Sequence, residues 1–347
     1  MLHFECDYLE GCTPEILEVL ASTNMNQTHG YGQDVYCERA QKLIRKECGK
    51  EDVDVHFLVG GTQANFTVIS SILKPYQGVL CADTAHINVH ETGAIEHGGH
   101  KVLSMPSKNG KINVEQIREA VVNHRNDANF EHIVQPGMVY LSFPTELGTI
   151  YTKKELIDIS DFCRKEKLPL YIDGARIGYG LMSNKCDLTL RDIARLVDVF
   201  YIGGTKQGTL FGEAVVITNE TLKKDFRYYI KQNGGMLAKG RLLGLQFETM
   251  FKGGLYWDLA KKADNLAMYL HDELSNRGYS FFVDSYTNQQ FPIVSNRVLS
   301  KISANIAFEY WQEVDAEHSA VRFCTSWAIS KESVDILLQV MAEAEQS

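Results

Sequence analysis

The chain has 347 residues, 44% hydrophobic and 23% charged, with a formal net charge of −9. That length is too great for one ordinary core and suits a large α/β domain with a smaller one attached. The composition excludes a disordered chain, the acidic balance without a basic stripe excludes nucleic acid as the main partner, and no apolar run approaches the ~20 residues of a membrane helix.

The chain begins Met1-Leu2-His3-Phe4-Glu5-Cys6-Asp7, with no basic or apolar leader, so no signal peptide is expected. The eight cysteines form no Cys-x-x-Cys pair and no zinc spacing, which points to reduced thiols and a cytoplasmic protein. Residues 1–22 read as an arm with little core of its own, expected to pack on a neighbouring subunit. Within it, Thr13-Pro14-Glu15 predicts a helix start with a threonine cap and proline at the first helical position. In His29-Gly30-Tyr31-Gly32-Gln33-Asp34, glycines on both sides of Tyr31 suggest a backbone shaped to aim the ring.

Residues 55–59 predict a strand, followed by Gly60-Gly61-Thr62 and a helix from Gln63. A glycine turn from strand to helix N-terminus presents free N–H groups and a positive dipole end, which is a phosphate cradle. A plain tight turn is the alternative, since neither the full dinucleotide glycine pattern nor Gly-Lys-Ser/Thr is present. Residues 79–82 form the next strand and lead to His86 and His90. These lie four apart, on one face of a helix, but lack the His-Glu-x-x-His order of zinc proteases. A short strand follows at 101–103, a helix at 113–124, a strand at 138–143 and a helix from Thr152 to about 165.

The strand at 168–172 ends in Asp173-Gly174-Ala175-Arg176, and that at 198–202 ends in Gly203-Gly204-Thr205-Lys206. Asp173 and Lys206 are one β-α-β step apart, so their strand ends can be neighbours. Lys206 stands in apolar, glycine-rich surroundings. Desolvation there lowers a lysine's pKa and frees the amine for Schiff-base formation; the alternative is a loop lysine facing water. A buried Asp173 needs a cationic partner, and a protonated pyridine nitrogen would be one. Residues 213–217 are expected to close the strand series, with a helix at 223–229 and an interruption at Gly234-Gly235. Beyond a boundary near 240 come a helix at 260–277, strands at 279–283 and 321–325, and a final helix at 330–345. The predicted fold class is α/β, a three-layer α/β/α arrangement with a mostly parallel sheet, plus a smaller C-terminal α+β domain. The predicted units are an arm (1–22), a large domain (23–240) and a small domain (241–347).

Together the strand ends offer Gly-Gly-Thr for a phosphate, His86 for a ring face, Asp173 for a pyridinium nitrogen and Lys206 for an aldehyde, the four handles of pyridoxal phosphate. The chain also resembles the low-specificity L-threonine aldolases of the β-eliminating lyase group, which have the aspartate-aminotransferase type of fold. The matching stretches are Gly30 to Asp34, Gly60 to Asn65, His86 to Gly93, Asp173-Gly174-Ala175-Arg176, the Lys206 segment, Gly234-Gly235 and Arg322 to Trp327.

That resemblance implies pyridoxal 5'-phosphate bound covalently to Lys206, with Asp173 on its ring nitrogen and His86 stacked on the ring. Gly60, Gly61 and Thr62 would hold the phosphate, with Thr205 and Arg176 also at the cofactor. Asp7, Tyr31, Arg176 and Arg322 would face the substrate, Arg322 gripping its carboxylate with a bidentate fork. The implied reaction is retro-aldol cleavage of a β-hydroxy amino acid to glycine and an aldehyde, in a homodimer or dimer of dimers with shared active sites. β-Elimination or amino transfer on the same handles is the alternative, and a phosphate-binding module without chemistry is a different class. The sequence departs from the family pattern at Cys6-Asp7-Tyr8, at Phe143-Pro144-Thr145-Glu146, at His90 and at Gly235-Met236-Leu237-Ala238. The last removes an arginine that often reaches a phosphate across the dimer, leaving Lys239 or Arg241 as replacements.

Overall fold

The structure, a computed structural model, describes residues 1–346. The chain opens with strand β1 (Leu2–His3) and helices α1 (Pro14–Thr23) and α2 (Val35–Cys48). It then alternates through β2 (Asp54–Leu58), α3 (Gly61–Ile72), β3 (Gln77–Ala82), the short α4 (His86–Val89) and α5 (Ala94–His97), β4 (Lys101–Met105), α6 (Val114–Asn126), β5 (Gln135–Ser142) and α7 (Lys153–Glu166). Next come β6 (Leu170–Asp173), α8 (Ile177–Met182), α9 (Leu190–Leu196), β7 (Val199–Gly203) and β8 (Glu213–Ile217). Helices α10 (Phe226–Gln232), α11 (Arg241–Phe251) and α12 (Leu255–Asn276) precede β9 (Gln289–Gln290), β10 (Ile293–Ser295), α13 (Asn296–Ile302), β11 (Ile306–Ala307), β12 (Glu309–Glu313), β13 (His318–Cys324) and α14 (Lys331–Gln346).

Seven strands form the central sheet in the order β2-β8-β7-β6-β5-β3-β4. It is parallel throughout except for β8, which runs antiparallel to both neighbours. Helices cover both faces, so β6, β7 and β8 are buried along their whole length and read as continuous apolar runs. The residues between Gly203 and Glu213 are too few for a crossover helix. β8, the last strand of this sheet in chain order, therefore returns antiparallel and inserts between β2 and β7.

Local signals behave as their chemistry requires. Thr152 caps α7 with a capping box, Glu155 N–H donating to its hydroxyl at 3.2 Å and Thr152 N–H to the Glu155 carboxylate at 2.7 Å. Pro14 does take the first helical position of α1, but Thr13 makes no capping bond, and its hydroxyl is buried without a partner. The amino-terminal stretch packs on the rest of its own chain. β1 pairs in parallel with β11, Phe4 is buried in the C-terminal core, and Ile16 of α1 is buried in the main core.

The C-terminal core packs α12, α13 and α14 against a sheet in which β13 pairs antiparallel with β9, β10 and β12. The strand expected at 279–283 is only an isolated bridge between Phe281 and Pro292. The bridge is held by Phe282 N–H donating to Phe291 O and Ile293 N–H donating to Ser280 O, each at 2.9 Å. Among the described residues no helix is long and apolar enough to cross a membrane.

Candidate active site

The parallel strands all end at one edge of the sheet, where open α/β sheets bind ligands. A cleft of about 320 Å³ lies there, lined among others by Gly61, His86, Asp173, Arg176, Thr205 and Lys206. Gly60 and Thr62 also line it.

Two glycine contacts bring the Asp173 and Lys206 segments together. A Cβ on Gly174 would lie 1.9 Å from Tyr201 O, and one on Gly203 would lie 2.2 Å from Ala175 O. Only glycine lets the ends of β6 and β7 meet backbone against backbone, with Gly203 N–H donating to Gly174 O at 2.9 Å.

Asp173 is buried. Its Oδ2 accepts from the Tyr140 hydroxyl at 2.5 Å and from Asn65 Nδ2 at 2.9 Å; its Oδ1 accepts from the Tyr201 hydroxyl at 2.5 Å and from Ala175 N–H at 3.0 Å. Burial alone would raise its pKa. The charge of His86 and these donors outweigh burial and hold the carboxyl below its ordinary value. An ionised, buried carboxylate is what a pyridinium nitrogen requires as partner. Lys206 is shifted the opposite way to an exposed lysine: burial first, then the nearby Arg176 charge, lower its pKa against the pull of Asp7, Asp173 and Glu213. Its carbonyl accepts from the Tyr179 hydroxyl at 2.6 Å, which anchors the loop.

The twelve-residue α3 starts at Gly61 behind an extended Gly60, and no side chain caps it. Its first-turn N–H groups are left for an anion. A Cβ on Gly61 would come to 3.2 Å from the Tyr201 hydroxyl that holds Asp173. His86 opens α4. Its backbone N–H donates to Glu146 Oε1 at 2.9 Å, and its Nδ1 lies 2.7 Å from Glu91 Oε1, which also accepts from Asn65 Nδ2 at 2.7 Å. A carboxylate acceptor calls for a proton on Nδ1. The His90 ring is 5.6 Å from that of His86. Among the described residues, no His, Cys, Asp and Glu cluster is arranged to hold a metal ion.

Arg176 forks onto Asp7 through Nε at 2.7 Å and Nη2 at 3.0 Å, and Asn288 Nδ2 donates to the same carboxylate at 2.9 Å. Burial opposes the ionisation of Asp7, but Arg176 and Lys206 overcome it and hold its pKa at about 2. The contacts of Asp7 are thus with Arg176 and Asn288. Arg322 donates to Glu5 O at 2.9 Å and Gln289 Oε1 at 3.3 Å, while its Nε is buried without a partner. Its charge contributes to lowering the pKa of His90, after burial and His86. Tyr31 sits outside this cleft, half exposed, with a left-handed φ of 60° and Lys231 Nζ 5.1 Å from its ring centroid. Arg241 fastens the end of α1 by donating to Thr23 O and Asn26 O. Neither it nor Lys239 lines the cleft of its own chain.

Several site residues escaped the sequence reading. In the sequence Tyr140 and Tyr201 look like strand interior and Asn65 like helix, and nothing local gives Glu91, Glu146 or Glu213 a role. The available signal was polarity inside apolar segments, since a buried hydroxyl, amide or carboxyl needs a partner.

A desolvated lysine, a buried ionised aspartate and an uncapped helix N-terminus facing one cleft fit pyridoxal phosphate, and they define a fold-type I enzyme of that cofactor. Residues 4–297 match the family of beta-eliminating lyases, and the chain belongs to it. The low-specificity L-threonine aldolase of a Pseudomonas species is 34% identical over 274 residues, 77% of this chain and 76% of its own length. That of Pseudomonas aeruginosa is 32% identical over 308 residues, 86% and 84% of the two chains. The Leishmania major threonine aldolase structure is 41% identical, with a TM-score of 0.96 over 99% of each chain. Cystalysin from Treponema denticola, whose structure contains pyridoxal 5'-phosphate, shares the fold with a TM-score of 0.73 at 16% identity, over 100% of this chain and 91% of its own.

Proposed function

We propose that this protein is a pyridoxal-phosphate-dependent aldolase that cleaves L-threonine- or L-allo-threonine-type β-hydroxy amino acids to glycine and an aldehyde. The observation that carries this reading is the Gly174–Gly203 contact, which joins the Asp173 and Lys206 segments beside the α3 N-terminus. When bound, pyridoxal phosphate supplies the electron sink for breaking a bond at Cα. Lys206 presents an amine that burial keeps from holding its proton tightly. Asp173 keeps a negative charge where the ring nitrogen needs one. Gly60, Gly61 and Thr62 take the phosphate at the helix N-terminus, with Thr205 beside them, and His86 covers the ring face. Arg176, oriented by Asp7, and Arg322, with its unpartnered Nε, supply cations for the substrate carboxylate.

The relatives support the choice of aldol cleavage over β-elimination or amino transfer, since those at 32%, 34% and 41% identity are named threonine aldolases. The deciding experiment incubates purified protein with L-threonine, L-allo-threonine and phenylserine and measures glycine release. Glycine from at least one of them is the expected result. Pyruvate from L-serine with no glycine from the three would favour β-elimination. The eight cysteines are all unpaired, which supports a reducing, cytoplasmic location. The active site is further proposed to be shared in a two-fold dimer that delivers Tyr31 to the cleft of the other subunit.

A further inference from the structure

β8 carries a carboxyl group into the part of the site where a phosphate is expected. Running antiparallel between β2 and β7, it sets Glu213 in register with Leu58 on one side and Gly203 on the other. Leu58 leads into the Gly60–Thr62 turn, and Gly203 leads into Gly204-Thr205-Lys206. Glu213 is buried in the wall between them, and it lines the same cleft. One of its oxygens accepts from the Thr205 hydroxyl at 2.9 Å and the other from Gly204 N–H at 3.1 Å. Thr205 Oγ1 in turn accepts from Gly212 N–H at 3.1 Å.

This arrangement conflicts with a phosphate if Glu213 is ionised. Thr205 has a single hydroxyl proton, and a carboxylate holds it together with the neighbouring N–H. A carboxylate also sets a negative charge next to a phosphate in a buried site, where like charges repel most strongly. A carboxylic acid reverses both effects, because its own O–H becomes a donor. The surroundings favour the acid: burial is the largest influence, and Asp173 adds to it. Lys206 opposes it, as do the hydrogen bonds from Thr205 and Gly204, and burial prevails, pushing the pKa up to about 8. The other titratable groups within its reach, Tyr171, Tyr201 and Tyr256, all have pKa values raised well above the ordinary range and stay neutral.

We propose that Glu213 is a cofactor-binding residue that, as the neutral acid, donates a hydrogen bond to the phosphate of pyridoxal phosphate, and that as the carboxylate it competes with that phosphate for Thr205 and Gly204. This rests on the pyridoxal-phosphate reading above, and it makes cofactor retention proton-linked through a side chain other than the lysine.

Equilibrium dialysis of the holoenzyme and of Glu213→Gln from pH 6.5 to 9.5 tests it. Because Glu213 bears on the charge of Lys206, the same pair is also compared with Lys206→Ala in both proteins, where no lysine titration enters the ratio of affinities. For a group titrating near 8, wild type should lose about tenfold in cofactor affinity relative to Glu213→Gln between pH 7 and pH 9. A ratio that does not change with pH overturns the proposal. The phosphorus NMR resonance of cofactor bound to wild type gives a second measurement, independent of whether the variant folds. It should shift between pH 7 and 9, and a resonance constant over that range overturns the proposal. Neither measurement involves substrate, so absence of threonine cleavage would bear on the reaction alone.

Discussion

The Asp7–Arg176 pair sets how the site responds to acid. The ordinary value for Asp7 is 3.8, and the folded protein holds it at about 2. A depressed carboxyl stabilises the fold at pH above the unfolded value, and that stability is lost as pH falls from about 4 to about 2. The shift corresponds to roughly 2 kcal/mol. Asp7→Asn removes it and leaves the part-buried Arg176 without its counter-charge, so the loss at pH 7 should be about 2 kcal/mol. Urea midpoints should show a gap from wild type that is full at pH 7 and narrows below pH 4; a gap independent of pH would contradict the pair's role. At Lys206, reduction of the holoenzyme with borohydride should fix cofactor mass on the peptide that carries this residue. Lys206→Ala should bind no cofactor covalently, and mass on another lysine would reassign the nucleophile. Asp173→Ala should slow turnover by at least ~10²-fold, the scale of losing one preorganised charge, with a much smaller effect on cofactor affinity by dialysis.

At the scale of elements, the site depends on how closely β6 and β7 end against each other. The Gly174 contact with Tyr201 O leaves no space for a methyl group. Gly174→Ala must therefore push the two strand ends apart and displace Tyr201, whose hydroxyl holds Asp173. Overpacking of this kind costs about 1–3 kcal/mol. The thermal midpoint should fall, and the cofactor absorbance should be lost or altered in whatever protein remains folded. Gly11→Ala is the control, since a Cβ there would meet only Leu210 at 3.9 Å and Gly11 does not line the cleft. Equal behaviour of the two variants would show that the backbone contact is not what aligns the site.

At the scale of the whole molecule, the cleft of one chain holds Lys206 and Asp173 but not Tyr31. Tyr31 is half exposed on a left-handed backbone, in a loop pinned by Tyr31 N–H donating to Ala238 O and by Arg227 donating to Tyr31 O. A two-fold dimer would give such a ring a destination. Mixing Lys206→Ala subunits with Tyr31→Ala subunits should restore part of the activity that each lacks alone, because one hybrid site per dimer would be intact. Light scattering at working concentration should give twice the chain mass or a multiple of it. A monomer, or no complementation, would remove the shared site.

Local chemistry alone was enough to place Gly60-Gly61-Thr62 on a strand-to-helix turn, Thr152 at a helix cap, and Asp173 and Lys206 at the ends of apolar strands. Each depends on backbone propensity or on an unbroken apolar run, and both are written in consecutive residues. The antiparallel insertion of β8, the Asp7–Arg176 fork across 169 residues and the Tyr140, Tyr201 and Asn65 donors on Asp173 are different in kind. They join residues distant in sequence whose polarity has no local meaning. A tyrosine in a β-strand fits the core by its ring, and only the packed sheet decides what its hydroxyl meets. Glu213 is the clearest case: as one acidic residue heading an apolar strand it reads as a strand start. Its place between the Gly60–Thr62 turn and the lysine exists only because β8, on a connection too short for a crossover, turns back between β2 and β7.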